Sequence, residues 1–188
     1  MSSYKPYTDK QSRELKELWE AVMPTSPVPP ESIRKHLSGE SVLHALVVRS
    51  VIQLSNEIQK RMESFVRPFD LTTSRMGVLL VLFFSQQRLT PSALGERLFL
   101  TRGNMTGLIE GLVNDELVRR VRRVNDRRAH ELELTSQGRA LVKEYFPHHQ
   151  GALASLVAGL TPSDCLQLAK LLQKLRAGMV ALEPPQRP

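Results

Sequence analysis

The chain has 188 residues, 41% of them apolar and 24% charged, which suits one domain with a substantial core and excludes a disordered chain. Its formal net charge is +7 and its pI about 9.9, a balance that points to a polyanionic partner without separating DNA from RNA or anionic lipid. The single cysteine excludes an intrachain disulfide framework. No apolar run reaches the ~18 residues of a membrane span, and the polar start MSSYKPYTDKQSRE holds no secretory core, so a cytoplasmic protein is expected.

In chain order, residues 9–23 read as a helix with Leu15, Leu18, Trp19 and Val22 on one stripe. The run PTSPVPP at 24–30 ends it as a stiff connector, and one or two helical turns can follow over 31–37. Residues 41–66 form a long helix in which Leu43, Leu46, Val47, Val51, Leu54, Ile58, Met62 and Phe65 drift along one broad face; Arg67-Pro68 stops it. Residues 72–86 are a further helix, capped by Thr72 or Thr73. Its run Val78 to Phe84 is apolar all round, which predicts burial on most sides.

Residues 89–138 carry the chemistry. TPSAL at 90–94 opens a short helix with Thr90 as cap and Pro91 at the first position, where a missing N–H costs nothing. Phe99-Leu100 turns the chain into a second helix over 101–116, capped by Thr101, with Met105, Leu108, Ile109 and Leu112 on its inner face. Residues 117–124 are rich in Val and Arg, and HELELT at 130–135 alternates; NDRRA between them is a polar turn. Helix, helix and a basic hairpin make a winged helix-turn-helix. Six arginines lie between positions 119 and 128, crowded onto that hairpin as phosphate and groove contacts require.

Residues 135–146 begin a helix that Pro147 is expected to kink or interrupt. Thr161-Pro162-Ser163-Asp164 then opens a final helix with Leu168, Leu171, Leu172, Leu175 and Met179 on one side. These faces, with those of 9–23 and 41–66, expose more apolar surface than one small domain can cover, and an intertwined homodimer would bury it. The expected organisation is an N-terminal helix and connector over 1–40, a dimerisation region over 41–70 and 136–182, a winged helix over 71–135, and a tail over 183–188. The fold class is mainly α with a small β-hairpin wing.

On the outer face of the 101–116 helix, Arg102 can pair with guanine and Asn104 with adenine, while Thr106 suits a phosphate or a thymine methyl. Gly103, Gly107 and Gly111 recur on that side. Each costs about 1 kcal/mol relative to Ala within a helix, and close approach of a DNA backbone would compensate. Arg122, Arg123 and Arg97 are candidates for phosphates.

The stretch from Leu89 to Gly138 resembles the DNA-binding core of MarR-type regulators in four motifs in the right order: the SALGERL helix, the LVRR strand, the DRR wing tip and the LTSQG that opens the next helix. The resemblance implies a dimeric winged-helix repressor on double-stranded DNA, released from a pseudo-palindromic operator by a small aromatic acid. It implies that Asp126 orients the wing and that Arg128, with Arg127 beside it, enters the minor groove. Many members carry Arg near positions 107 and 111, where this chain has glycine; that shifts weight onto Arg102 and the wing. The helix over 9–23 is absent from the core plan but occurs in the urate-responsive branch, where a tryptophan on it helps line the effector pocket. Trp19 stands at the matching place, although a lone Trp more commonly just anchors its helix.

Implied pocket walls are Trp19, Ser55, Met62, Met76 and Arg120, the last matching an arginine that contacts ligand in that branch. A buried arginine there can hold a carboxylate bidentately, or equally serve a phosphate or a strand salt bridge. Gly77 and Leu108 stand where the branch has Asp and Arg, which favours a hydroxynicotinate-like or phenolic acid over urate.

Other chemistry is weak. No nucleophile elbow or phosphate-cradling glycine loop marks an enzyme, and no cofactor is called for. Cys165 lies away from the peroxide-sensing position of the family. His148 and His149 point apart on a helix and lack a metal-ligand cluster. Two other classes compete: a winged-helix module that docks a protein, and an effector-independent DNA binder.

Overall fold

A computed structural model describes residues 9–22, 40–85, 87–122 and 130–180. They fall into two compact units, Met1–Ser64 and Phe65–Pro188. Among the described residues no helix is long and apolar enough to cross a membrane.

The first unit contains α1 (Asp9–Val22) and most of α2 (Glu40–Val66). Trp19, Val42 and Leu46 form its small buried cluster, each at most 5% exposed. Trp19 thus anchors α1 against α2. The rest of the apolar stripe on α2 faces outward: Leu43, Val47, Val51 and Leu54 are each more than a third exposed.

The second unit opens where Pro68 ends α2 in a single 3-10 turn, Arg67–Phe69, closed by Asp70 in the left-handed region with its amide on the Arg67 carbonyl at 3.0 Å. Then come α3 (Thr73–Ser85), α4 (Pro91–Leu98), α5 (Arg102–Asn114), β1 (Val118–Arg122), β2 (His130–Leu134), α6 (Ser136–Leu156) and α7 (Pro162–Val180). Thr72, expected as a cap, accepts the Arg75 amide at 3.3 Å. The core gathers Met76, Val78, Leu79 and Leu82 of α3, Leu94 of α4, Met105, Ile109 and Leu112 of α5, the hairpin residues Val118, Leu132 and Leu134, and Val142 and Tyr145 of α6. At 25 cal/mol per Å², each such large side chain contributes about 1.5–3 kcal/mol.

The hairpin is antiparallel with Val118 opposite Leu134 and Arg122 opposite His130. Leu89 adds one bridge on the other edge of β2, exchanging hydrogen bonds with Leu132 at 2.8 and 3.3 Å. The hairpin root is therefore held on both sides.

Three expectations are corrected. Pro147 does not interrupt α6, which runs through it to Leu156. Tyr145 before it and Ala152 after it are both buried, and that packing outweighs the one hydrogen bond Pro cannot donate. Phe84 is not wrapped: it is 55% exposed, with its ring 5.2 Å from that of Phe146. At their described ends the hairpin strands are shorter than the sequence pattern: β1 starts at Val118 rather than Leu117, and β2 stops at Leu134 rather than Thr135. The cap of α7 forms as expected: the Thr161 amide donates to Asp164 at 2.9 Å and the Asp164 amide to the Thr161 hydroxyl at 3.2 Å.

Candidate nucleic-acid interface

The candidate site is assembled from α4, α5 and the hairpin. Thr90 accepts the Ala93 amide at 3.2 Å and Pro91 takes the first position of α4. The helix ends at Phe99, whose φ of 54° reverses the chain, and the Leu100 amide returns to the Gly95 carbonyl at 2.9 Å. A side chain at Gly95 would come within 3.2 Å of the Leu100 carbonyl, so a small residue keeps this turn tight. Thr101 then caps α5 by accepting the Asn104 amide at 3.4 Å.

Met105, Ile109 and Leu112 pull one side of α5 into the core and Leu108 is half-buried, which leaves Arg102, Gly103, Asn104, Thr106, Gly107 and Glu110 facing solvent. The Thr106 hydroxyl donates to the Arg102 carbonyl at 3.0 Å, so it offers an outside partner a methyl group and an acceptor rather than its proton. A side chain added at Gly103 or Gly107 would meet nothing within 4 Å. These two glycines leave room on the outer face for something to come close. Gly111 departs from that pattern: the Arg75 guanidinium covers it at 3.8 Å. Arg75 in turn pairs with Asp115 just beyond α5, binding the end of this helix to α3.

Of the six hairpin arginines, Arg119, Arg120 and Arg122 lie on β1 and are exposed. Arg119 is committed across the strands to Glu133, which also takes Arg88 at 2.6 Å. Arg88 beside Glu133, with Arg119 adding to it, holds that carboxyl below its ordinary value of 4.5. The sequence reading did not foresee Arg88 in this pair, because only the strand register brings Arg88, Arg119 and Glu133 together. Arg123, Asp126, Arg127 and Arg128 lie outside the described residues. Arg97, at the end of α4, is exposed.

The expected effector residues are divided between the two units. Trp19, Ser55 and Met62 belong to the first unit, where Trp19 is buried, Ser55 exposed and Met62 half-buried. Met76 is 1% exposed inside the core of the second. Arg120 is not the buried arginine expected. It stands opposite Leu132 on the hairpin face that looks onto α5, and the space in front of it is open. That space is a cleft of about 850 Å³ between α4, α5 and the hairpin, with Leu100, Met105, Ile109 and Leu132 as apolar wall and Arg102, Thr106 and Arg120 as polar groups. A second groove of about 820 Å³ also reaches Arg120, between β1 and the first turns of α6, with Arg139 and Lys143 on its rim.

The family model described as MarR family matches residues 69–129, the stretch from the turn before α3 to the end of the segment that joins β1 to β2. Over that stretch the chain is a MarR-type winged helix. Among known proteins, the chain is 27% identical over 127 residues to the HTH-type transcriptional repressor YetL of Bacillus subtilis, a match covering 67% of this chain and 76% of that protein. It is 34% identical over 87 residues to the HTH-type transcriptional regulator SarZ of Staphylococcus aureus, covering 46% of this chain and 58% of that one. The DNA complex of S. aureus MepR shares the fold with a TM-score of 0.65 at 23% identity, over 68% of this chain and 94% of that one. The winged helix-turn-helix expected from the sequence is thus the observed fold.

Proposed function

We propose that this protein is a sequence-specific transcriptional repressor that binds double-stranded DNA as a homodimer and is released by a small aromatic acid. The observation that carries the reading is the uncovered outer face of α5. A capped, amphipathic helix buries one side in the core and turns Arg102, Asn104 and Thr106 outward at its N-terminal half, the part of such a helix that reaches base edges. Gly103 and Gly107 leave clearance beside them. Arg122 continues the positive surface along the hairpin, and the net charge of +7 favours a polyanion. Arg128, with Arg127 beside it and Asp126 as orienting residue, is the proposed minor-groove contact, and Arg123 a proposed phosphate contact. YetL is named a repressor and MepR is known in complex with DNA, which supports the same reading here.

Dimerisation is supported by the unpartnered apolar faces. Leu168, Leu171, Leu172 and Met179 on α7 are between 44% and 68% exposed, and α2 repeats the pattern. Two copies would present two α5 helices to a near-palindromic site one helical turn apart. For the effector, the support is the cleft before Arg120: an apolar wall with guanidinium groups, those of Arg120 and Arg102, suits an aromatic carboxylate. Trp19, Ser55, Met62 and Met76 are the remaining candidate walls, and a hydroxynicotinate or phenolic acid is the preferred ligand over urate.

The test is fluorescence anisotropy at fixed salt with a duplex enriched by the protein from a randomised pool. The expected result is binding that weakens steeply with salt and is lost in large part on Arg102→Ala or Arg128→Ala. Addition of a small aromatic acid should release the wild type, while Arg120→Ala keeps the duplex and loses the response. Equal affinity for enriched and random duplex would overturn sequence specificity and favour an effector-independent binder; no binding at all would favour a protein-docking module.

A further inference from the structure

The turn between α4 and α5 contains a residue that is unfavourable both in backbone and in side chain. Phe99 sits at φ 54°, ψ 37°, the left-handed position after a helix that glycine or asparagine ordinarily fills. Its amide is satisfied by the Glu96 and Gly95 carbonyls, so the conformation is fixed. Its ring is 81% exposed, more than any other large apolar side chain among the described residues. The guanidinium of Arg176 on α7 lies over it at 5.7 Å, which leaves most of the ring in water. Neither the strain nor the exposure contributes to folding.

The place of Phe99 suggests what would cover it. It lies two residues ahead of Thr101, the cap of α5, and so at the same end of that helix as Arg102 and Asn104. We infer that Phe99 is a further DNA-contacting residue, whose ring packs on carbon surface of the duplex at the mouth of the major groove. This rests on the reading of α5 as the recognition helix. Two parts of DNA offer such surface there, the 5-methyl group of thymine and the deoxyribose. A neutral ring gains nothing from phosphate, so its contribution is independent of salt, unlike that of the neighbouring arginines.

The experiment uses the full chain as wild type, Phe99→Gly and Phe99→Asn. Both replacements suit the left-handed turn and remove the ring. The probes are the duplex that the wild type enriches from a randomised pool and the same duplex with deoxyuridine at every thymine. Both variants should melt higher than the wild type and bind the enriched duplex about tenfold or more weakly, as expected for losing the burial of one aromatic side chain. The salt dependence should keep its slope. A thymine contact makes the wild type lose more affinity on going to the deoxyuridine duplex than either variant loses; a deoxyribose contact makes all three change by the same factor, with the variants still weak. Wild-type affinity in either variant overturns the inference. A wild type that enriches no duplex overturns the recognition-helix reading and this one with it.

Discussion

A methyl group built on Gly138 would lie 2.1 Å from the carbonyl oxygen of Leu117. The first turn of α6 thus rests directly on the backbone that leaves α5. Leu117 sits at a junction: its amide returns to the Leu112 carbonyl at 3.0 Å, and its carbonyl accepts the Thr135 amide at 3.1 Å. The Thr135 hydroxyl donates to the Glu116 carbonyl at 2.6 Å while accepting the Gly138 amide at 3.0 Å. The end of α5, both roots of the hairpin and the start of α6 meet at these few atoms. Gly138→Ala forces two stretches of backbone apart. We expect it to cost about 3 kcal/mol, the upper end of ordinary overpacking, read as a lowered urea midpoint.

Glu116 adopts φ 57° at the same junction, where its amide closes α5 onto the Val113 carbonyl. A left-handed residue with a Cβ carries a cost of about 1–2 kcal/mol, part of which glycine returns through its freer unfolded chain. Glu116→Gly is expected to raise stability by up to about 1 kcal/mol. Asn at the same position should give a smaller gain in the same direction. Thermal unfolding at one protein concentration measures both.

Acid should loosen the hairpin through Glu133. Arg88 foremost, and Arg119 with it, lower the pKa of this carboxyl in the folded protein. A depressed carboxylate contributes stability that is fully present above the ordinary value of 4.5 and is lost as pH falls through the folded value. In Glu133→Gln that contribution is absent at every pH. Urea midpoints of wild type and variant should therefore differ at about pH 6 and converge toward about pH 3. A constant difference across that range would show that the ion pairs do not carry it.

Pro147 offers a gain of a different origin. It lies inside α6 with its ring exposed, where no N–H is available for the Lys143 carbonyl one turn back. An interior proline costs a helix about 3 kcal/mol. Pro147→Ala is expected to recover about 1–3 kcal/mol, measured by thermal unfolding. A loss of stability would mean that the Pro147 ring fits α6 to its surroundings better than a regular turn would.

Much of this architecture was readable from residue order. Thr90, Thr101 and Thr161 announce their helices because a cap is a local event, decided within four residues. Met105, Ile109 and Leu112 announce the buried side of α5 because 3.6-residue periodicity is equally local. The partners of Glu133 were not readable, since Arg88 is 45 positions away and only the bridge at Leu89 brings it near. Continuation of α6 through Pro147 was missed for a related reason: propensity is written at one position, whereas the packing that overrides it involves Phe69 against Tyr145. The orientation of the α5 face could be inferred from periodicity. The cleft before Arg120 could not, because its walls come from three elements.

The knot at Leu117 also bears on how a dimer would tell one operator from another. A reading helix lashed at its end to two strands and the next helix, and to α3 through Arg75 and Asp115, has little freedom to swing by itself. The whole head must travel when it travels. In the proposed dimer two such heads would behave like the jaws of a caliper: each jaw would keep its shape, and what a signal could alter would be the gap between them. Release from DNA would then follow from a mismatch of pitch, with every base-reading side chain still correctly posed.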